Sequence, residues 1–141
     1  MRIPLIFTMF VLLLGCSDLH PGHVPVTVQV NDNGKPVDGV SVTFVADDGS
    51  YAVGYTEPDG TAQMYTYKPK DGVKPGSYLV KLSKYEKASL VTETYDPATD
   101  KAIPISDPVS LIPIKFSDIK TSELSVVVEK KILPLVFDVS E

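Results

Sequence analysis

The feature that most constrains this chain is a two-residue hydrophobic period, repeated in short runs from His20 onward. In "VPVTVQV", Val24, Val26, Val28 and Val30 fall on one side of an extended backbone, with Pro25, Thr27 and Gln29 on the other. Successive side chains of a strand point to opposite faces, so such a run buries one face and leaves the other to water. "VSVTFVA" repeats the pattern, with Val40, Val42, Phe44 and Ala46 inward and Ser41 and Thr43 outward. The intervening "NDNGKPVDG" is crowded with turn formers, and Asn33-Gly34 suits the positive φ of a tight hairpin.

Further strands follow. "SYAVGYT" reads as the third, and its alternation leaves open whether Tyr51, Val53 and Tyr55 or Ala52, Gly54 and Thr56 face inward. "EPDG" is a tight turn, with Pro58 second and Gly60 fourth. "TAQMYTY" and "KPGSYLVKLSK" continue the series, the latter with Tyr78, Val80 and Leu82 on one face. "SELSVVVE" (Leu124, Val126, Val128) and "LPLVFDV" (Leu133, Leu135, Phe137, Val139) are expected to close the chain as a hairpin. Pro134 has no N–H to give to a ladder, so it belongs at an edge or at a strand start. No segment carries a helical period over two turns. The expectation is an all-β fold, a seven-stranded antiparallel β-sandwich over residues 24–141. Residues 84–121 break the alternation and leave room for one short strand near "ASLVTETY". So long an irregular connection is where chain-specific function is expected.

The N-terminus predicts where the protein works. Arg2 is the sole charge before Asp18, and the run from Ile3 to Leu14 is apolar but well short of the roughly 20 residues a membrane-spanning helix needs. That is the anatomy of a secretory signal peptide. Leu13-Leu14-Gly15-Cys16 resembles the lipobox of bacterial lipoproteins, in which a glyceride is joined to the cysteine sulfur and the chain is cut just before it. Leu14 is bulkier than the small residue usual there. Cys16 is the one cysteine, so it cannot close an intramolecular disulfide. The expected organisation is a lipoprotein signal peptide over 1–15, a tether over 16–23, and the sandwich beyond. Several acyl chains hold far more firmly than one, at about 0.8 kcal/mol per buried methylene. Membrane attachment through Cys16 places the protein in the cell envelope. Ser17, where an aspartate favours retention at the inner membrane, points to the outer membrane if the host has one.

Composition narrows the rest. The chain carries 18 acids against 13 bases, a net charge of −5. It has no electrostatic reason to seek nucleic acid, and as a whole it is mildly repelled by anionic lipid. With no tryptophan, its core is expected to be largely aliphatic. After cleavage, about 126 residues make one domain large enough to fold without disulfides or metals.

Taken together, "NGKPVDGVSVTFV", "YTEPDGTAQM" and "KPGSYLVKLSK" resemble the carboxypeptidase regulatory-like domains, a transthyretin-like (prealbumin-like) group of sandwiches. The resemblance lies in Gly34-Lys35-Pro36-Val37 with Gly39, in Thr56 with Asp59-Gly60, and in Gly76 with Tyr78. The later "IPIKFSDIKTSELSVVVEKKILPLVFDV" looks like the C-terminal half of many small bacterial lipoproteins of this type. The resemblance implies a fold, an inward aromatic at Tyr78, no reaction and no cofactor.

Chemical motifs are scarce. Hydroxyisourate hydrolases on transthyretin-like sandwiches need a C-terminal Tyr-Arg-Gly-Ser, but this chain ends "FDVSE". Ring-cleaving dioxygenases on related sandwiches need two histidines within the domain, yet His20 and His23 both precede the first strand. His20-x-x-His23 could share an ion, with Asp18 as a third ligand where zinc wants three or four, but the pair is expected to be solvated linker. Asp32, Asp38, Asp47 and Asp48 read as turn residues too scattered to hold calcium. Tyr65 and Tyr67 share one face of the "TAQMYTY" run and are the candidate ligand-binding residues. They are suited to stacking on sugar rings or centring a protein interface, or else to lying under the long segment. The sequence therefore predicts a lipid-anchored, non-enzymatic envelope protein with a binding or structural role. Its alternative is a carbohydrate-binding accessory lipoprotein, with an envelope protein or a polysaccharide as partner.

Overall fold

The computed structural model describes residues 19–86, 108–130 and 134–140. The strands are β1 (Val26–Asp32), β2 (Lys35–Pro36), β3 (Ser41–Val45), β4 (Tyr51–Tyr55), β5 (Thr61–Met64), β6 (Gly76–Ser83), β7 (Leu124–Val128) and β8 (Leu135–Asp138). A 3-10 turn, Ile114–Ser117, precedes β7. The strands build two sheets with a common core. In the first, β1 is central, with β5 and the short β2 along one edge and β8 along the other; the second runs β4-β3-β6-β7.

Alternation placed the core side chains correctly. Val26, Val28 and Val30 of β1, Val42 and Phe44 of β3, and Val80 and Leu82 of β6 are buried in one cluster. Each such side chain contributes about 1.5–3 kcal/mol when fully buried. Tyr78 also points inward, its ring centroid 5.9 Å from that of Phe44. Its hydroxyl donates to the Lys74 carbonyl at 2.7 Å, and burial pushes its phenol pKa up.

Strand partners differ from the expectation in two ways. The last two strands form no hairpin: β7 pairs antiparallel with β6, whereas β8 crosses to the other sheet. There it lies parallel to β1, with Val28 opposite Leu135 and Asn31 opposite Asp138, so the sandwich is not wholly antiparallel. The period of two specifies which face is buried, and an inner face is satisfied from either layer. The described strands also number eight rather than seven, because Asn33 (φ 48°) and Gly34 (φ 76°) form a two-residue turn into β2. Both residues adopt the left-handed region that such a hairpin requires. Pro134 sits just ahead of β8, an edge strand, where its missing N–H is harmless.

β4 turns its small residues inward. Ala52, Gly54 and Thr56 are buried while Tyr51 and Tyr55 face water. The reason lies in the neighbouring layer. Val53 and Tyr65 exchange two backbone hydrogen bonds of 2.8 Å, which carries the end of the β5 run across β4. A Cβ on Gly54 would stand 2.7 Å from Met64 Sδ and 3.0 Å from the Gln63 carbonyl. The sandwich is thus sewn shut along its β4–β5 side. Thr56, buried there, accepts the Val40 N–H on its hydroxyl at 2.8 Å.

The described ends of the irregular segment belong to the fold. Glu86 N donates to the Val109 carbonyl (2.9 Å) and Leu111 N to that of Lys84 (2.7 Å), which prolongs β6. Ile112 and Phe116 are buried against the core. The short strand expected near "ASLVTETY" lies outside the described residues.

Two glycines separate backbone strain from crowding. Gly60 has φ 76°, and a Cβ there would lie 2.7 Å from the Val30 carbonyl and 2.8 Å from Pro36 Cβ. Gly49 has φ 81° with nothing within 4 Å of its Cβ position. Gly60→Ala is therefore expected to destabilise by about 3 kcal/mol or more and Gly49→Ala by only about 1 kcal/mol, as read by urea unfolding.

Candidate functional site

Cys16 and the expected signal peptide over 1–15 lie outside the described residues. From Leu19 onward the chain ahead of β1 is bonded to the domain. His20 N donates to the Asp71 carbonyl at 2.9 Å, and Val24 and Val73 exchange two bonds of 2.9 Å. Leu19 Cδ2 stands 2.9 Å from where a Gly72 Cβ would be, so the N-terminal strap lies directly on the 65–73 loop.

That loop is organised by Asp71, whose side chain is buried. Its carboxylate accepts from the backbone N–H groups of Thr66 (2.9 Å), Tyr67 (2.9 Å) and Lys68 (3.0 Å). Burial pushes its pKa up, but these three donors, with His23 nearby, outweigh burial and hold it below the ordinary carboxylate value. The arrangement lets a buried carboxylate stay ionised without a lysine or arginine. Neither the role of Asp71 nor its inward aim was read from the sequence. The signal available was Lys70-Asp71-Gly72, a turn tripeptide whose aspartate can accept local N–H groups.

The histidines are correspondingly not loose. The His20 and His23 rings meet edge to face at 4.6 Å, and Tyr67 approaches them at 5.2 and 5.9 Å. Among the described residues no set of three histidine, cysteine, aspartate or glutamate side chains converges to hold a metal. The three rings act as packing at the seam.

Tyr65 and Tyr67 do not form one platform. β5 ends at Met64, Tyr65 bridges to Val53 and Gly72, and the chain then bends. Tyr67 is 74% exposed against the histidines, whereas Tyr65 is half-buried. Tyr65 instead lines an open cleft of about 640 Å³ with Tyr55, Glu57, Thr61, Gln63 and Lys70. Tyr55, 60% exposed at the end of β4, is the aromatic that shares a site with Tyr65. Sequence reasoning missed it, although an outward face of Tyr51, Val53 and Tyr55 was one of its two readings of β4.

The cleft offers two phenol rings, a carboxylate, a primary amide, a hydroxyl and an ammonium. Such a set can stack on flat apolar ligand faces and hydrogen-bond to hydroxyl groups. Asp59, at one wall, is occupied internally. It accepts from both the hydroxyl (2.6 Å) and the N–H (2.9 Å) of Thr61. These bonds hold its pKa below the usual range.

No family model, curated protein or solved structure matches the chain. Among the described residues no helix is long and apolar enough to cross a membrane.

The depressed pKa of Asp71 fixes the sign of a pH effect. Its contribution to stability is present above the unfolded value of about 3.9 and is lost as pH falls through the lower folded value. Asp71→Asn removes an acceptor from the loop N–H groups and is expected to lower stability by about 2 kcal/mol at pH 7. In thermal melts followed from pH 7 downward, the gap between the two proteins should narrow below about pH 4.

Proposed function

We propose that this protein is a lipid-anchored, non-enzymatic component of the bacterial cell envelope, a carboxypeptidase regulatory-like sandwich with a binding or structural role. The lipobox-like sequence ending at Cys16 motivates the anchor. The observation that carries the reading is the docked strap: a few residues after Cys16 the chain is already fixed to the domain by the bonds of His20 and Val24. A linker meant to hold a domain away from a membrane is long and polar; this one ends in a seam. Acylation of Cys16 would hold the sandwich at the envelope surface. Mass spectrometry of the native protein should find a chain beginning at Cys16 with a diacylglycerol thioether and an acylated amine. An unmodified thiol, or cleavage elsewhere, would refute the anchor.

A second reading, carbohydrate binding, is favoured by the cleft at the β4–β5 corner. It moves from the pair Tyr65 and Tyr67 to the pair Tyr55 and Tyr65, because those two line one cavity. Tyr55→Ala is expected to weaken pull-down on cell-wall polysaccharide by about tenfold, the equivalent of one lost stacking contact. Tyr67→Ala should leave it unchanged. Equal retention of all three proteins would remove the basis for a sugar site.

A further inference from the structure

We infer that the end of the sandwich formed by residues 19–24 and 65–75 is a membrane-contact surface, seated on phospholipid with Tyr67 in the headgroup layer and Lys68 and Lys70 beside it. The inference rests on the proposed anchoring through Cys16. Three residues of extended chain reach about 10 Å, and Leu19 is already docked over Gly72. An acyl-bearing Cys16 would therefore lie within about 10 Å of Leu19, which makes this end of the fold the one nearest the lipid.

The chemistry of this end suits its position. Tyr67 is 74% exposed, yet its ring is braced by the His20 and His23 rings, so it is presented rigidly. A tyrosine with an apolar body and a polar tip fits the boundary between headgroups and acyl chains. Lys68 and Lys70 are exposed on either side of Pro69, while the acid between them and Val73, Asp71, is turned inward onto three backbone N–H groups. The acids that share this end, Asp47, Asp48, Glu129 and the ionised Asp71, are matched in number by Lys68, Lys70, Lys74 and Lys130. The opposite end holds Asp32, Asp38, Glu57, Asp59, Glu123 and Asp138 against Lys35 and Lys84, the latter bonded to Asp38 at 3.0 Å, so acids outnumber bases there. The molecule is therefore polarised along its strands, and its least acidic end is the one next to the anchor. The net charge of −5 does not oppose this contact, because surface charges act over about a Debye length of 8–10 Å.

The chain has no tryptophan, so Tyr67→Trp and Lys35→Trp each create a single fluorescent reporter, the first within the contact surface and the second on β2 at the opposite end. Both positions are exposed, which keeps the cost of substitution low. The acylated proteins are reconstituted into vesicles of phosphatidylcholine and phosphatidylglycerol, with the phosphatidylcholine brominated on its acyl chains. Emission from Tyr67→Trp should fall about twofold or more, while that from Lys35→Trp should be unchanged. In the unsubstituted protein, Lys68 and Lys70 should react more slowly than Lys35 with an impermeant amine reagent. Equal quenching and equal lysine reactivity in material whose Cys16 is acylated would overturn the contact surface alone. An unmodified Cys16 in the same mass spectrum would overturn the anchor and this surface together.

Discussion

The pair of hydrogen bonds between Val53 and Tyr65 is the constraint on which the rest of the architecture depends. It is the point at which the run begun in one sheet pairs with the edge of the other, and it demands close approach. Gly54 supplies the space for Met64, and Ala52 and Thr56 keep the inner face of β4 shallow. With this side closed, the opposite side is left to the two edge strands β7 and β8, one in each layer. The open cleft is a by-product of the same crossing, because Tyr55 and Tyr65 are brought to one outer corner when β4 and β5 meet.

A second constraint acts at the end of the sandwich where the chain enters. Asp71 gathers three backbone N–H groups, which shapes residues 65–73 into a bed for the strap that precedes β1. Hydrogen bonds to an ionised acceptor are among the stronger kind, and satisfying several donors offsets the cost of burying the charge. Two functions of the loop follow from this one carboxylate: it fixes the first described residues to the domain, and it takes its own negative charge away from the exposed surface.

The correspondence between sequence and structure is uneven in an instructive way. Val26, Val28 and Val30, then Val42 and Phe44, then Val80 and Leu82 were all legible as inward residues, since alternation reports burial directly. Asn33-Gly34 likewise announced its own turn, because positive φ at both positions is a local demand. The pairing of β8 was not legible. Phe137 and Val139 fill an inner face whether their strand follows β7 or crosses to β1, and the pattern of residues is the same in both cases. The candidate site divides similarly: Tyr65 lines the cleft with Tyr55 of the other sheet, whereas Tyr67 lies against the histidines. A period of two holds only while the strand continues, and the bend after Tyr65 ends it.

What the sequence alone determined is therefore what depends on short-range chemistry: β structure, the identity of the buried faces and the tight turns. What only the tertiary structure decided is which strands meet, which way β4 turns its tyrosines, and that the strap at His20 to Val24 is part of the domain. The physical reason is one of range. Burial and turn geometry are set by a residue and its near neighbours. A seam, a cleft or a parallel edge strand exists only once segments such as Val53 and Tyr65, or Asn31 and Asp138, have been brought together from apart in the chain.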